Sequence, residues 1–248
     1  MKRSLSTPAY CRPQAYAAFA FELGHIESTR GLFRSACAIA MHDRPHSDMQ
    51  QTELVVERLV DTVRSRVHTP TPQARLAHLH DVLFDLVGLR GNVDDYYNPE
   101  NSYLPDVLRT RRGLPISLVL IYKCVAEGIG LTVHGINAPG HFIAAVETDP
   151  PRPHADGEHS WMYVDPFYGG SLLDEEEVFQ RITDSTGRDM PRSRHLLARA
   201  SGHQWLTRML TNLQAAFAAV GRERDMLAMQ ELQGLLDVSI APSKRRVQ

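Results

Sequence analysis

The chain has 248 residues, 43% of them apolar, with 27 basic against 29 acidic side chains and a formal net charge of −2. A chain of this size can bury a full core and forms one or two globular units, and its near-balanced charge excludes a bulk polyanion binder. No apolar run approaches the roughly 20 residues that cross a bilayer, and Met1 to Tyr10 lacks the apolar stretch of a secretory signal, so a cytoplasmic location away from membranes is expected.

Taken in order, the first elements are helical. Helices are expected over Gln14 to Leu23 and Thr29 to Met41. Leu54, Val55, Leu59, Val60 and Val63 then recur at three- and four-residue spacing, as do Leu76, Leu79, Val82, Leu83, Leu86 and Val87. Pro70 and Pro72 separate these two helices, with Thr71 as the expected N-cap. Residues 1–90 thus read as an N-terminal helical region. Gly88 to Ser102 carries Gly91, Asn92, Asp94, Asp95, Asn98, Pro99 and Asn101 and reads as a long loop, into which Tyr96 and Tyr97 are set.

A short helix is expected over Pro105 to Arg112, broken by Gly113, and Pro115 suits the first turn of the next. That next helix, about Ile116 to Glu127, is apolar nearly all round and must be buried centrally, ending at Gly128 or Gly130. Strands follow at Leu131 to Ile136, His141 to Glu147 and Trp161 to Val164, with Asp149 to Ser160 as an exposed loop between the last two. A central helix leading into antiparallel strands predicts an α+β core over 91–185. Residues 186–248 form a C-terminal helical hairpin, His203 to Val220 and Arg222 to Leu236 around Gly221. One such tetratricopeptide-like unit cannot bury its own face, so it docks on the core or on a partner.

Cys11, Cys37 and Cys124 form no C-x-x-C pair and read as reduced, mostly buried thiols. His42 with His46, and His78 with His80, lie close together, but no H-E-x-x-H pattern accompanies them, so surface histidines are favoured over a metal site. No metal and no cofactor is expected. The basic ends, Lys2-Arg3 and Lys244-Arg245-Arg246, read as solvated tails, and no recognition helix points to direct nucleic-acid contact.

The chemistry-bearing pattern is Ser117, His141 and Asp165 in that order. Ser117 lies just inside a helix start, where unpaired N–H groups favour negative charge. His141 at the start of one strand could act as its base, and Asp165 at the end of a neighbouring strand could orient the imidazole. The bland alternatives are a Ser117 that hydrogen-bonds within its own helix and a His141-Asp165 pair that fixes two strands. Arg109, Arg111 and Arg112, just before the helix start, could grip a carboxylate or phosphate, although a solvated basic face is favoured. Tyr97, Asn101, Tyr103, Gly140 and Phe142 are the expected cleft-lining residues, although for the tyrosines, Tyr96 included, filling the seam between helical bundle and core is the favoured role.

These residues occur inside a longer series: Gly91-Asn92, Tyr97-Asn98-Pro99, Asn101-Ser102-Tyr103-Leu104, Arg111 to Leu118, Pro139-Gly140-His141-Phe142 and Asp165-Pro166-Phe167 followed by Gly169-Gly170. The series resembles the bacterial transglutaminase-like proteins of the invasion-regulator (SirB) branch, closely over Leu76 to Leu173 and loosely through Arg208-Met209-Leu210 and Asn212-Leu213. The resemblance implies a papain-like α+β core with a cysteine at the start of the central helix, a histidine on the next strand and an aspartate on the one after. His141 and Asp165 match the second and third members. The cysteine position falls near Pro115, Ile116 or Ser117, and none is a cysteine; Cys124 lies farther along the same helix and reads as core packing.

Two retained members beside a missing thiol lead to the expectation of a non-catalytic, regulatory or binding scaffold for a protein or peptide partner. The alternatives are a serine-dependent hydrolase or amide-bond acyltransferase using Ser117, His141 and Asp165, and an anion-binding module at Arg109, Arg111 and Arg112.

Overall fold

The computed structural model describes residues 7–147 and 161–240; the two basic ends and the loop expected over Asp149 to Ser160 lie outside them. Four helices open the described chain: α1 (Pro13–Glu22), α2 (Thr29–Ala40), α3 (Met49–Arg66) and α4 (Pro72–His80). Their starts follow from capping chemistry. Ser28 accepts the Gly31 N–H ahead of α2, Asp48 accepts Gln50 and Gln51 ahead of α3, and Thr71 accepts Ala74 ahead of α4 as expected. The apolar periodicity read through Val87 continues beyond α4, but Asp81 to Leu86 wind as a wider π turn.

The loop that follows is pinned by a short parallel ladder of β1 (Arg90–Gly91) and β2 (Arg112–Gly113), with a 3-10 turn over Pro99–Ser102 and α5 (Leu104–Thr110) between them. Arg111, in the left-handed region at φ 61°, ends α5 where Gly113 was expected to. Gly113 instead serves close packing, since a Cβ there would fall 2.8 Å from Val107. Next comes α6 (Pro115–Gly128), with Pro115 in its first turn and ten of its side chains buried from Pro115 through Ala126.

An antiparallel sheet then runs in simple order: β3 (Val133–Ile136), β4 (Ile143–Glu147), β5 (Trp161–Asp165) and β6 (Ser171–Leu173). Sequence reading began the second strand at His141, which actually closes the preceding turn through its N–H to Ala138 O (3.2 Å). After the sheet come α7 (Glu175–Thr186), started by an Asp174/Glu177 capping box, then α8 (Gly202–Ala219) and α9 (Glu223–Ile240). The strand alternation explains the layers. Ala144 and Val146 face the main core around α6, whereas Ile143 and Ala145 face a smaller cluster with Val178, Phe179 and Ile182 of α7. The sheet is thus covered on both faces.

The main core is one contiguous cluster that draws on all three sequence segments, from Phe19 and Leu32 through Leu118 and Val119 to Leu213, Phe217 and Leu232. The C-terminal hairpin docks on it. Gly221, at φ 71°, turns the chain between α8 and α9, and the Glu231 carboxylate accepts the N–H groups of Ala9, Tyr10 and Cys11 at 2.7 to 3.0 Å, tying α9 to the start of α1. The architecture is an α+β core, a buried helix packed on a small antiparallel sheet, with flanking helices. No helix among the described residues is long and apolar enough to cross a membrane.

Candidate functional site

Asp165 ends β5 and is held from three sides. Its backbone oxygen accepts the Gly170 N–H at 2.9 Å, its Oδ1 accepts the Phe167 N–H at 3.1 Å, and its Oδ2 lies 2.9 Å from His141 Nε2. Arg181, from α7, brings its Nε to 3.5 Å from the same Oδ2 and lays its guanidinium 4.1 Å over the Tyr168 ring. Asp165 has no exposed surface and His141 retains 5%. A carboxylate can only accept, so Nε2 carries a proton, and in the neutral imidazole Nδ1 keeps its lone pair. Nδ1 makes no hydrogen bond among the described residues. The pair can therefore orient a base, or an acceptor for a ligand donor.

The turn Ala138 to His141 aims the imidazole. Gly140 adopts φ 71° and leaves room for the end of α7, where a Cβ would fall 2.8 Å from Ser185 Cβ. Aromatic rings wall the histidine: Phe167 edge-on at 6.0 Å, Tyr168 tilted at 6.1 Å, and behind Phe167 the edge of Tyr96 at 6.0 Å. Phe167 is seated on β1 because Gly91 has no side chain; a Cβ there would meet its ring at 2.4 Å. Tyr97, mostly exposed, stands edge-on to Tyr96 at 5.4 Å.

Asn101 shapes this loop from behind. Its Nδ2 donates to Asp95 O and Tyr96 O at 2.6 and 3.1 Å, its Oδ1 accepts from Asn92 at 2.9 Å, and its backbone oxygen accepts the Leu114 N–H at 3.0 Å. One buried amide thereby links the tyrosine loop to the start of α6.

The structure brings His141 and Asp165 together and leaves Ser117 out. Ser117 sits in the first turn of α6 with no exposed surface, and its hydroxyl has no hydrogen-bond partner among the described residues, neither His141 nor a local backbone group. Cys124 cannot substitute, because burial and the neighbouring Glu127 push its thiol up to about 12. Cys11, Cys37 and Cys124 are all free.

Two expected cleft residues are core fillers. Tyr103 is fully buried in the seam, its ring 5.4 Å from the Arg44 guanidinium, and Phe142 packs on Trp205 at 4.7 Å. The arginines before α6 go separate ways. Arg109 is held by Asp106 at 2.8 Å and Glu100 at 3.5 Å. Arg112 donates to the carbonyls of Arg111 and Gly88, and burial together with the adjacent Arg90 lowers its pKa. Arg111 is exposed. The reading of the sequence alone missed Arg181 and Tyr168, and saw Arg208 only as part of a family-like string; Tyr168 reaches the site through the turn that follows Asp165, whereas the approach of Arg181 and Arg208 depends on docking of α7 and α8.

Residues 50–211 match the family model described as the Transglutaminase-like superfamily. The chain belongs to that superfamily. The matched span runs from α3 through α8 and contains Asn101, Ser117, His141, Asp165 and Arg208. Similar proteins include a UPF0162 protein of Xylella fastidiosa (strain 9a5c), 34% identical over 200 residues, covering 79% of this chain and 68% of that protein. F-box only protein 21 of Mus musculus is 28% identical over 168 residues, or 67% of this chain and 25% of the mouse protein. A UPF0162 protein of Vibrio cholerae is 23% identical over 139 residues, covering 56% of this chain and 48% of that protein. No solved structure matches this transglutaminase-like chain.

Proposed function

We propose that this transglutaminase-like protein is non-catalytic and uses the cleft at His141 and Asp165 to bind a protein or peptide partner, in a scaffolding or regulatory role. The observation that carries this reading is the unequal fate of the three expected residues. His141 and Asp165 form a closed, buried pair, whereas the position for a nucleophile offers only a sealed, unpartnered hydroxyl. A serine at neutral pH needs a base within about 3.2 Å or one bridging water, and Ser117 has no such contact among the described residues. An anion site built on Arg109, Arg111 and Arg112 loses its first member to Asp106 and Glu100.

The test is a screen of fluorophosphonate labelling and of amide and ester turnover on the wild type beside Ser117→Ala and His141→Ala. The expected result is the same background level in all three. Turnover that disappears in His141→Ala would overturn the non-catalytic reading, and labelling that disappears in Ser117→Ala would restore the serine enzyme.

A further inference from the structure

Arg208, on α8, reaches across to the turn that carries His141. Its Nη1 donates to Asn137 Oδ1 at 2.5 Å and to Ala138 O at 2.7 Å, the same carbonyl that accepts the His141 N–H at 3.2 Å. The guanidinium lies 5.7 Å over the Phe142 ring, and Tyr96, which packs on Phe167 beside His141, is its electrostatic neighbour. The Arg208 side chain therefore packs against the turn that carries His141 and the aromatic wall beside it.

Its charge is not compensated. A guanidinium stays protonated in a protein, and removing one from water is costly unless an acid answers it. Three other partly buried guanidiniums are answered by acids, Arg34 by Glu22 and Glu53, Arg44 by Asp43, Glu100 and Asp106, and Arg222 by Asp43 and Asp225, whereas Arg75 and Arg112 are, like Arg208, held by neutral oxygens among the described residues. Among the described residues, Arg208 makes no ion pair, and neither its Nε nor its Nη2 has a hydrogen-bond acceptor. The oxygens that hold it are neutral and both bind Nη1. The opposite edge of the fork, Nε with Nη2, is the planar pair of donors that matches a carboxylate.

We propose that Arg208 anchors a carboxylate of the ligand that occupies the His141 cleft, supplied by a peptide C-terminus or by an acidic side chain. The inference rests on the reading of that cleft as a binding site. One cation among neutral neighbours, Tyr96, Asn137 and Phe142, fits a singly charged planar anion better than a doubly charged phosphate. Arg208 is then a specificity-determining residue, and His141 offers Nδ1 as an acceptor in the same cleft.

The test follows the arginine Nε–Hε resonances of the 15N-labelled full chain, the Arg208 signal being the one missing in Arg208→Lys. The probes are N-acetylglycine for a chain terminus, N-acetylglutamic acid α-amide for a side chain, N-acetylglycinamide as neutral control, and inorganic phosphate. The expected result is a saturable shift of the Arg208 signal with at least one carboxylate and none with the amide; the tighter carboxylate identifies the source. Arg208→Lys, which keeps the charge and loses the fork, should weaken the protein's binding of that carboxylate about tenfold, followed through the remaining backbone resonances. Asn137→Asp is the second arm, because an internal carboxylate at Nη1 compensates the charge and should weaken binding of the probe at the opposite edge while raising the melting temperature. No saturable shift with either carboxylate, tighter binding of phosphate, or carboxylate binding unchanged in both variants would overturn the anchor. Its failure differs from that of the non-catalytic reading, which falls on turnover whether or not Arg208 binds carboxylate.

Discussion

His141 Nε2 lies 2.9 Å from Asp165 Oδ2, and elsewhere in the fold His42 Nε2 lies 2.9 Å from Asp225 Oδ1. Both imidazoles are buried, at 5% and 6% exposure. They differ at the second nitrogen. His42 Nδ1 accepts the Arg12 N–H at 3.2 Å, and Asp225 is shared with Arg222, which continues to Asp43; every polar atom of that pair serves to join α1, the end of α2 and α9. His141 Nδ1 has no partner among the described residues, and its surroundings are aromatic rings and one uncompensated guanidinium. A histidine and an aspartate at hydrogen-bond distance do not by themselves make a site; the unpartnered nitrogen is what supports the proposal that His141 belongs to one.

Replacing each aspartate by alanine gives the largest effects and can break the comparison. Asp165→Ala strands the buried imidazole proton and the Phe167 N–H together, so a loss of about 3 to 5 kcal/mol is expected. Asp225 is 27% exposed on its side chain, water can replace part of what it gives, and Asp225→Ala should cost about 1 to 2 kcal/mol. Urea midpoints at unchanged slope measure both. Equal losses would mean that the two pairs are equally structural.

A third histidine sharpens the contrast, because its hydrogen-bond partner is neutral. His80 Nε2 lies 3.0 Å from the Tyr122 hydroxyl, between the rings of Phe84 and Tyr122. Burial pulls its pKa down to about 4, with Asp85 opposing only in part. The folded value is below the unfolded one of roughly 6.5, so the fold holds the neutral ring. The stability this confers is complete above the unfolded pKa and is lost as pH falls through the folded one, on the order of 2 to 3 kcal/mol. In His80→Gln the part of the acid limb between those two values should flatten. An unaltered limb would assign the acid sensitivity to other groups.

What the sequence made legible was local or periodic. The apolar circumference of α6 placed it at the centre, Thr71 marked a helix start, and His141 and Asp165 fell at turns bounded by Pro139-Gly140 and Pro166. Other features lacked a local signal. Two-residue strands such as β1 and β2 exist only because residues 90 and 112 meet across a loop, and β6 has just three residues, one of them exposed. Arg181 and Arg208 approach the site from helices 40 and 67 positions beyond His141 in the numbering, and no spacing rule connects a helix surface to a turn that far away. Phe142 misled for the converse reason: it follows His141 in sequence yet packs on Trp205 in the core, whereas Tyr103 fills the seam that the sequence reading favoured for it.

Ser117 carries the smallest effect and tests the position at which a nucleophile for the pair was expected. Its buried hydroxyl has no partner among the described residues, a state that costs about 1 to 3 kcal/mol against an apolar group of the same shape. Alanine also suits a helix better than serine by a few tenths of a kcal/mol. Against these gains stands the small void left by one oxygen, lined by the closely packed start of α6. The balance predicts that Ser117→Ala stabilises the fold by up to about 1 kcal/mol, read from the urea midpoint, with no change in carboxylate binding at Arg208. A destabilisation of more than about 1 kcal/mol would show a hydroxyl that does have a hydrogen-bond partner in solution. If that loss disappeared in a His141→Ala background, as a double-mutant cycle would reveal, the partner would be His141, and the contrast with His42 would become one between a relay and a clamp.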